Sequence, residues 1–382
     1  LSRRPAGALA GIAMIFLLAA PAAVGAREPG AARANRHLDP AAARERLPLP
    51  VEAGLFHVPR PVSPLRDSVI SAPSRGSARI AAGGEEARYP IDDGSGDTIA
   101  VNVTASCQES CTAADPQRIA STIGSFIHGP EVTLLTVQLD TPFQLGFDCG
   151  FEAQSCYYGG EDKIVISGDE EEAPDAASRE FVLAHEYGHH VAQHRQLPSP
   201  FPTAIDWGTE RWASAERVCQ GRRLGHYFPG DEGTHYYEDP GEAFAEAFAF
   251  NRFPDAAVRW AWAPALRPNA ASLAALREDV LRPWMGRHVL TISGRVPAHG
   301  ALIERIPTPF DGMVSVSPAG DRALGYELAI RNESGKVLRS SREGLSFNHR
   351  LDFTVCGQPR LRVAVRPLGH PGRKFRLTVQ RP

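Results

Sequence analysis

A chain of 382 residues, 43% of them hydrophobic and 22% charged, is long enough for two domains with separate cores and has the make-up of a globular protein. Its net charge of −3 offers no electrostatic footprint for nucleic acid. Its six cysteines, even in number, favour disulfides in an oxidising compartment over metal ligation.

In chain order, Arg3 and Arg4 precede an apolar run from Ala8 to Ala20, and Ala22-Ala23-Val24-Gly25-Ala26 supplies the small residues of a cleavage site. Residues 1–26 therefore read as a secretory signal. The run is shorter than the roughly 18–20 residues that span a bilayer. A secreted product with no stable membrane insertion is expected. Residues 27–96 are rich in Ala, Arg, Pro and Gly, with Pro48, Pro50, Pro59, Pro61 and Pro64 interrupting any regular element. They read as a flexible leader or pro-segment, in which His57 and the Glu85-Glu86 pair are the conceivable blocking groups.

A first domain is expected over 97–286. Thr98–Val103 alternates as a strand, and Asp115-Pro116 opens a helix striped by Ile119, Ile123, Phe126 and Ile127. Strands are predicted over 132–139 and 163–167. Closeness in sequence pairs Cys107 with Cys111 and Cys149 with Cys156, leaving Cys219 to meet Cys356.

The predicted helix over 176–193 carries His185-Glu186-Tyr187-Gly188-His189. At 100° per residue the two histidines lie about 40° apart on one face, where both can ligate one ion, and Glu186 projects about 60° to the side of His189. That is the geometry of a zinc hydrolase with a carboxylate general base. His190 faces away from such an ion, and His194 lies about 180° from His185 on an unbroken helix. A three-histidine extension would need Gly at 192 and His at 195, where the chain has Ala192 and Arg195.

The third ligand must come from elsewhere. After a predicted helix over 209–222, the stretch 243–250 is Ala and Phe on every side except for Glu246. A carboxylate buried there needs a cation or hydrogen-bond donors. Glu242 and Glu246 share one face a turn apart. Glu242 is assigned as third ligand, with Glu246 orienting His185 or His189 through its free N–H. Glu242 also stands three residues after Asp239-Pro240, a capping-box pattern that would leave Glu246 to ligate. Asp239, Glu238 and His235 are further alternatives.

Helices are predicted over 255–266 and 272–285. Beyond His288 short alternating runs separated by turn residues such as Asn332-Glu333-Ser334-Gly335 predict an all-β sandwich over 287–382.

H-E-x-x-H followed by E-x-x-x-E on a second helix resembles the gluzincin, thermolysin-like branch of zinc metallopeptidases, over residues 181–251. The resemblance implies an α+β, zincin-like fold, with a mixed sheet whose edge strand, 163–167, holds an extended peptide. It implies one catalytic Zn2+ on His185, His189 and Glu242, Glu186 as catalytic base, and Glu246 behind a ligand. The long connection from His189 to Glu242 departs from thermolysin, and no clear counterpart exists for the downstream histidine that steadies the oxyanion. His226, His235, Tyr236 and Tyr237 are candidates. The whole is similar to small exported bacterial metallopeptidases, and the sandwich resembles their accessory domains.

The function expected is a secreted zinc endopeptidase acting on peptide or protein substrates. An exported adhesion protein with a structural zinc, or a zinc amidase cutting cell-wall crosslinks, are the alternatives. A structural site has no need of Glu186.

Overall fold

In the computed structural model, which describes residues 67–70, 86–151, 153–169, 177–318, 326–341, 350–368, 372 and 374–382, helices and strands alternate before an all-β region. The signal segment 1–26 lies outside the described residues.

The strands of the first half are β1 (Asp67–Ile70), β2 (Glu86–Pro90), β3 (Thr98–Val103), β4 (Thr136–Asp140), β5 (Ser155–Tyr158) and β6 (Lys163–Ser167). They form one mixed sheet in the order β1-β5-β6-β4-β3-β2. β3, β4 and β6 run parallel, β2 and β5 are antiparallel to their neighbours β3 and β6, and β1 is parallel to β5. Buried Ile99, Val101, Val137, Leu139, Ile164 and Ile166 supply its share of the core. Between the strands lie α1 (Ala105–Ser110), α2 (Pro116–Gly124), capped by Asp115, and α3 (Pro142–Cys149).

Several expectations are corrected. The sheet begins inside the stretch read as a leader, because β1 and β2 belong to it. The segment 163–167 is no edge: β6 is flanked by β4 and β5. Over 132–139, Pro130 opens a 3-10 turn through Leu134 before the strand starts at Thr136.

The helical half holds α4 (Arg179–Gln193), α5 (Ala204–Trp207), α6 (Glu210–Ala215), α7 (Val218–Arg223), α8 (Pro240–Arg252) and α9 (Ala270–Leu281). The helix expected over 209–222 breaks in two at Arg217, whose φ is 55°. The one expected over 255–266 does not form. That stretch is irregular as far as the Pro264–Leu266 turn, and it tucks Trp262 into the core. α9 ends at Leu281, two residues before Pro283, whose ring nitrogen has no hydrogen to donate.

Strands β7 (His288–Arg295), β8 (Leu302–Pro307), β9 (Gly312–Pro318), β10 (Tyr326–Arg331), β11 (Val337–Ser340), β12 (Leu351–Val355), β13 (Arg360–Pro367) and β14 (Lys374–Arg381) follow. They build two antiparallel four-stranded sheets, β11-β10-β13-β8 and β12-β9-β14-β7. Val314, Val316, Leu328, Ile330, Val363, Val365, Leu377 and Val379 share a core of their own. All six cysteines are paired as proximity suggested: Cys107–Cys111, Cys149–Cys156 and Cys219–Cys356. The last bond ties α7 to the residue after β12. Complete pairing suits an oxidising compartment. Among the described residues no helix is long and apolar enough to cross a membrane.

Candidate metal centre

Two helices build the centre. Ser178 caps α4 by accepting from Phe181 N, and every residue from Phe181 to Ala192 is buried, so the histidines sit in the protein interior. Asp239 caps α8, accepting from Gly241 N, with Pro240 in the first turn. Two glycines set how closely the helices approach their neighbours. A Cβ on Gly188 would lie 2.8 Å from Ala245 Cα, and one on Gly241 would lie 2.1 Å from the Ile205 carbonyl oxygen of α5.

This crossing places Glu242 opposite both histidines. His185 Nε2 stands 3.5 Å from Glu242 Oε2, and His189 Nε2 stands 3.5 Å from Glu242 Oε1. Such separations exceed the ~2.7–3.2 Å of an N–H···O hydrogen bond. Two donors each about 2.0–2.1 Å from a zinc ion at a tetrahedral angle stand about 3.4 Å apart. The three side chains, at most 2% exposed, therefore fit around one divalent cation, and their ligand atoms lie within 4.8 Å of one another. Glu246 Oε2 is 2.9 Å from His185 Nδ1. The carboxylate fixes the proton on that nitrogen and turns the Nε2 lone pair toward Glu242. Trp262 stacks on the His185 ring at 5.8 Å.

The acidic side of the centre is crowded. Burial, followed by the charge of Glu242, pushes Asp239 up to about 8, against the pull of the Gly241 and Gly230 amides. A cation would relieve that crowding.

Glu186 Oε1 accepts a hydrogen bond from the Ser155 hydroxyl of β5. Among the candidates for steadying an oxyanion, Tyr236 is the one that reaches the centre, donating its hydroxyl to Glu242 Oε2 at 3.3 Å. His235 stacks on Phe228 and bonds Asp231 instead, Tyr237 is 39% exposed, and His226 is exposed on the loop after α7. Of the alternative third ligands, Asp239 is used as the cap and Glu238 sits on the preceding 3-10 turn.

Two other clusters differ in kind. His190, His194 and Asp162 meet on the far face of α4, but His194 Nε2 is 2.8 Å from Asp162 Oδ1, a hydrogen-bond distance. His190 Nε2 donates to the Glu131 carbonyl at 2.9 Å while Nδ1 faces the Tyr157 hydroxyl at 3.0 Å. Burial pushes His190 down to about 4. This is a satisfied network pinning α4 to the β5–β6 turn. The sulfurs of Cys219 and Cys356, near Asp311, are bonded to each other. Arg195, which stands where a third histidine would be, forms a buried ion pair with Glu131 at 3.0 Å.

Sequence reasoning missed Ser155 and Trp262. Ser155 sits beside Cys156 in a strand too short to announce itself, and Trp262 lies in a stretch read as helix.

No family model and no curated protein matches the sequence. Among solved structures, the chain is similar to PliG of Aeromonas hydrophila, a periplasmic lysozyme inhibitor of g-type lysozyme, at 7% identity and a TM-score of 0.21 over 25% of this chain and 85% of that one. It is also similar to Legionella pneumophila aminopeptidase A in complex with aspartic acid, at 10% identity and a TM-score of 0.21 over 75% of this chain and 36% of that one. Overlaps this loose carry no argument about fold or activity.

Proposed function

We propose that this chain is a secreted zinc-dependent endopeptidase of the gluzincin type, with a zincin-like catalytic part and a β-sandwich attached. One observation carries the reading: two imidazole nitrogens, each 3.5 Å from an oxygen of the same buried carboxylate, with a separate carboxylate one residue from the first histidine.

His185, His189 and Glu242 would hold the ion, leaving a fourth position for water or substrate. When bound, the ion supplies positive charge that polarises a substrate carbonyl and acidifies a water. Glu186, held by the Ser155 hydroxyl, takes the proton of the attacking water and hands it to the leaving amine. Glu246 keeps His185 in its ligating tautomer, and the Tyr236 hydroxyl is the group at hand to steady the carbonyl oxygen as it gains charge.

The test combines metal analysis with hydrolysis of an unfolded protein, with and without chelator. The parent is expected to hold one zinc in the centre and to lose cleavage when stripped. Glu186→Gln keeps the metal and loses hydrolysis by at least ~100-fold, while Glu242→Ala loses the metal. Unchanged turnover in Glu186→Gln would sink the mechanism, and stoichiometric metal in Glu242→Ala, with metal lost in Glu246→Ala, would reverse the two roles.

A further inference from the structure

Strand β5 carries Ser155, the residue that holds Glu186. Ser155 and Tyr157, on either side of Cys156, send their hydroxyls to Glu186 and His190 of α4, so one face of β5 runs along that helix. The inner edge of β5 is paired with β6. The outer edge is filled by β1, with Asp67 beside Ser155 and Ile70 beside Tyr158.

Neighbouring strands stand about 4.8 Å apart. A backbone on that outer edge therefore passes one strand spacing from the residue that holds the general base. A peptide bound by strand addition would use the same N–H and C=O groups of β5, because an edge has one row of them. β1 and such a peptide exclude each other.

We propose that residues 67–70 are a self-occupying strand that closes the peptide-binding edge of β5, and that an extended substrate gains the edge by displacing them. The inference rests on the peptidase reading for its meaning, although the pairing itself does not. With four residues the strand makes only a short ladder.

The test uses the full chain with Ser68→Pro and Val69→Pro made singly. Successive residues of a parallel strand direct their amides to opposite sides, so one substitution removes a ladder hydrogen bond and the other is its control. Amide hydrogen exchange over 155–158 and hydrolysis of unfolded β-casein are measured for each. One variant is expected to exchange about fivefold faster and to show about fivefold lower KM at unchanged kcat, the worth of one backbone hydrogen bond. A synthetic peptide of residues 64–73 added in trans reverses both changes. Exchange equal to the parent in both variants, or a peptide without effect, overturns the proposal, since β1 would then be a permanent part of the sheet. Faster exchange reversed by the peptide, with no casein cleaved by any protein, supports the displaceable edge and counts against the peptidase reading instead.

Discussion

Replacing Gly188 with Ala tests whether the α4–α8 crossing holds the candidate metal centre together. In an open helix the change would stabilise by about 0.8–1.0 kcal/mol, the propensity gap between the two residues. Here the added Cβ falls 2.8 Å from Ala245 Cα, 3.1 Å from Ala245 O and 3.1 Å from Phe248 Cβ. Carbon atoms rest about 3.5–4.0 Å apart, so the helices must part by about 0.7 Å at this point. Overpacking of a tight core costs about 1–3 kcal/mol, and the upper part of that range applies because the nearest atoms are backbone. A net loss of about 1–2 kcal/mol is expected in urea unfolding of the metal-free protein. Metal sites tolerate ligand displacements of only about 0.2 Å, so withdrawing Glu242 with α8 should weaken the proposed zinc binding about 10–100-fold in chelator competition. Trimming Ala245 to Gly should not rescue it, since the obstructing Cα and carbonyl remain. A Gly188→Ala protein as stable as the parent and with the same zinc affinity would refute the reasoning.

Three further outcomes are expected. Arg195→Met strands the buried Glu131 carboxylate and should cost about 3–5 kcal/mol, most of it recovered when Glu131→Gln is added; urea titration of the cycle decides this, and additive losses would refute it. Cys219→Ser with Cys356→Ser opens a bond spanning 137 residues, and denaturant unfolding should show a loss of about 2–4 kcal/mol, with an unchanged midpoint as the contrary result. Asp311 is pushed up to about 6 by burial, against the Gly357 amide and the charge of Arg223. Its ordinary unfolded value is near ~3.9, so between about pH 4 and pH 6 the folded state holds the proton more tightly and stability falls as pH rises, by about 3 kcal/mol in all. Asp311→Asn keeps the acceptor for Gly357 N and removes that slope; a variant-minus-parent difference constant from pH 4 to pH 7 would refute the assignment.

Much of the centre was legible because its information is local. The helical period alone puts His185 beside His189 and sets Glu186 to one side. The all-apolar 243–250 stretch with its single Glu246 announces a buried carboxylate in need of a partner. Alternation with a period of two announced six of the eight strands that form the two C-terminal sheets, Leu302–Pro307 and Val337–Ser340 being the two it missed, and the two short disulfides follow from the reach of neighbouring cysteines. Each depends on spacings of a few residues, which backbone geometry translates directly into faces.

Tertiary packing decided the rest. Glu242 and Glu246 share a face, so the period could not say which meets the Nε2 atoms and which meets Nδ1; the approach permitted by Gly188 and Gly241 assigns them. Strand order escaped for the same reason. The resemblance made Lys163–Ser167 an edge, and only the arrival of β5 and β1 on its flank places it inside the sheet and brings Ser155 to Glu186. A periodic pattern states which side of an element is apolar. Which element covers that side is settled by shape and closeness between residues far apart in the chain, and those are properties of the packed whole.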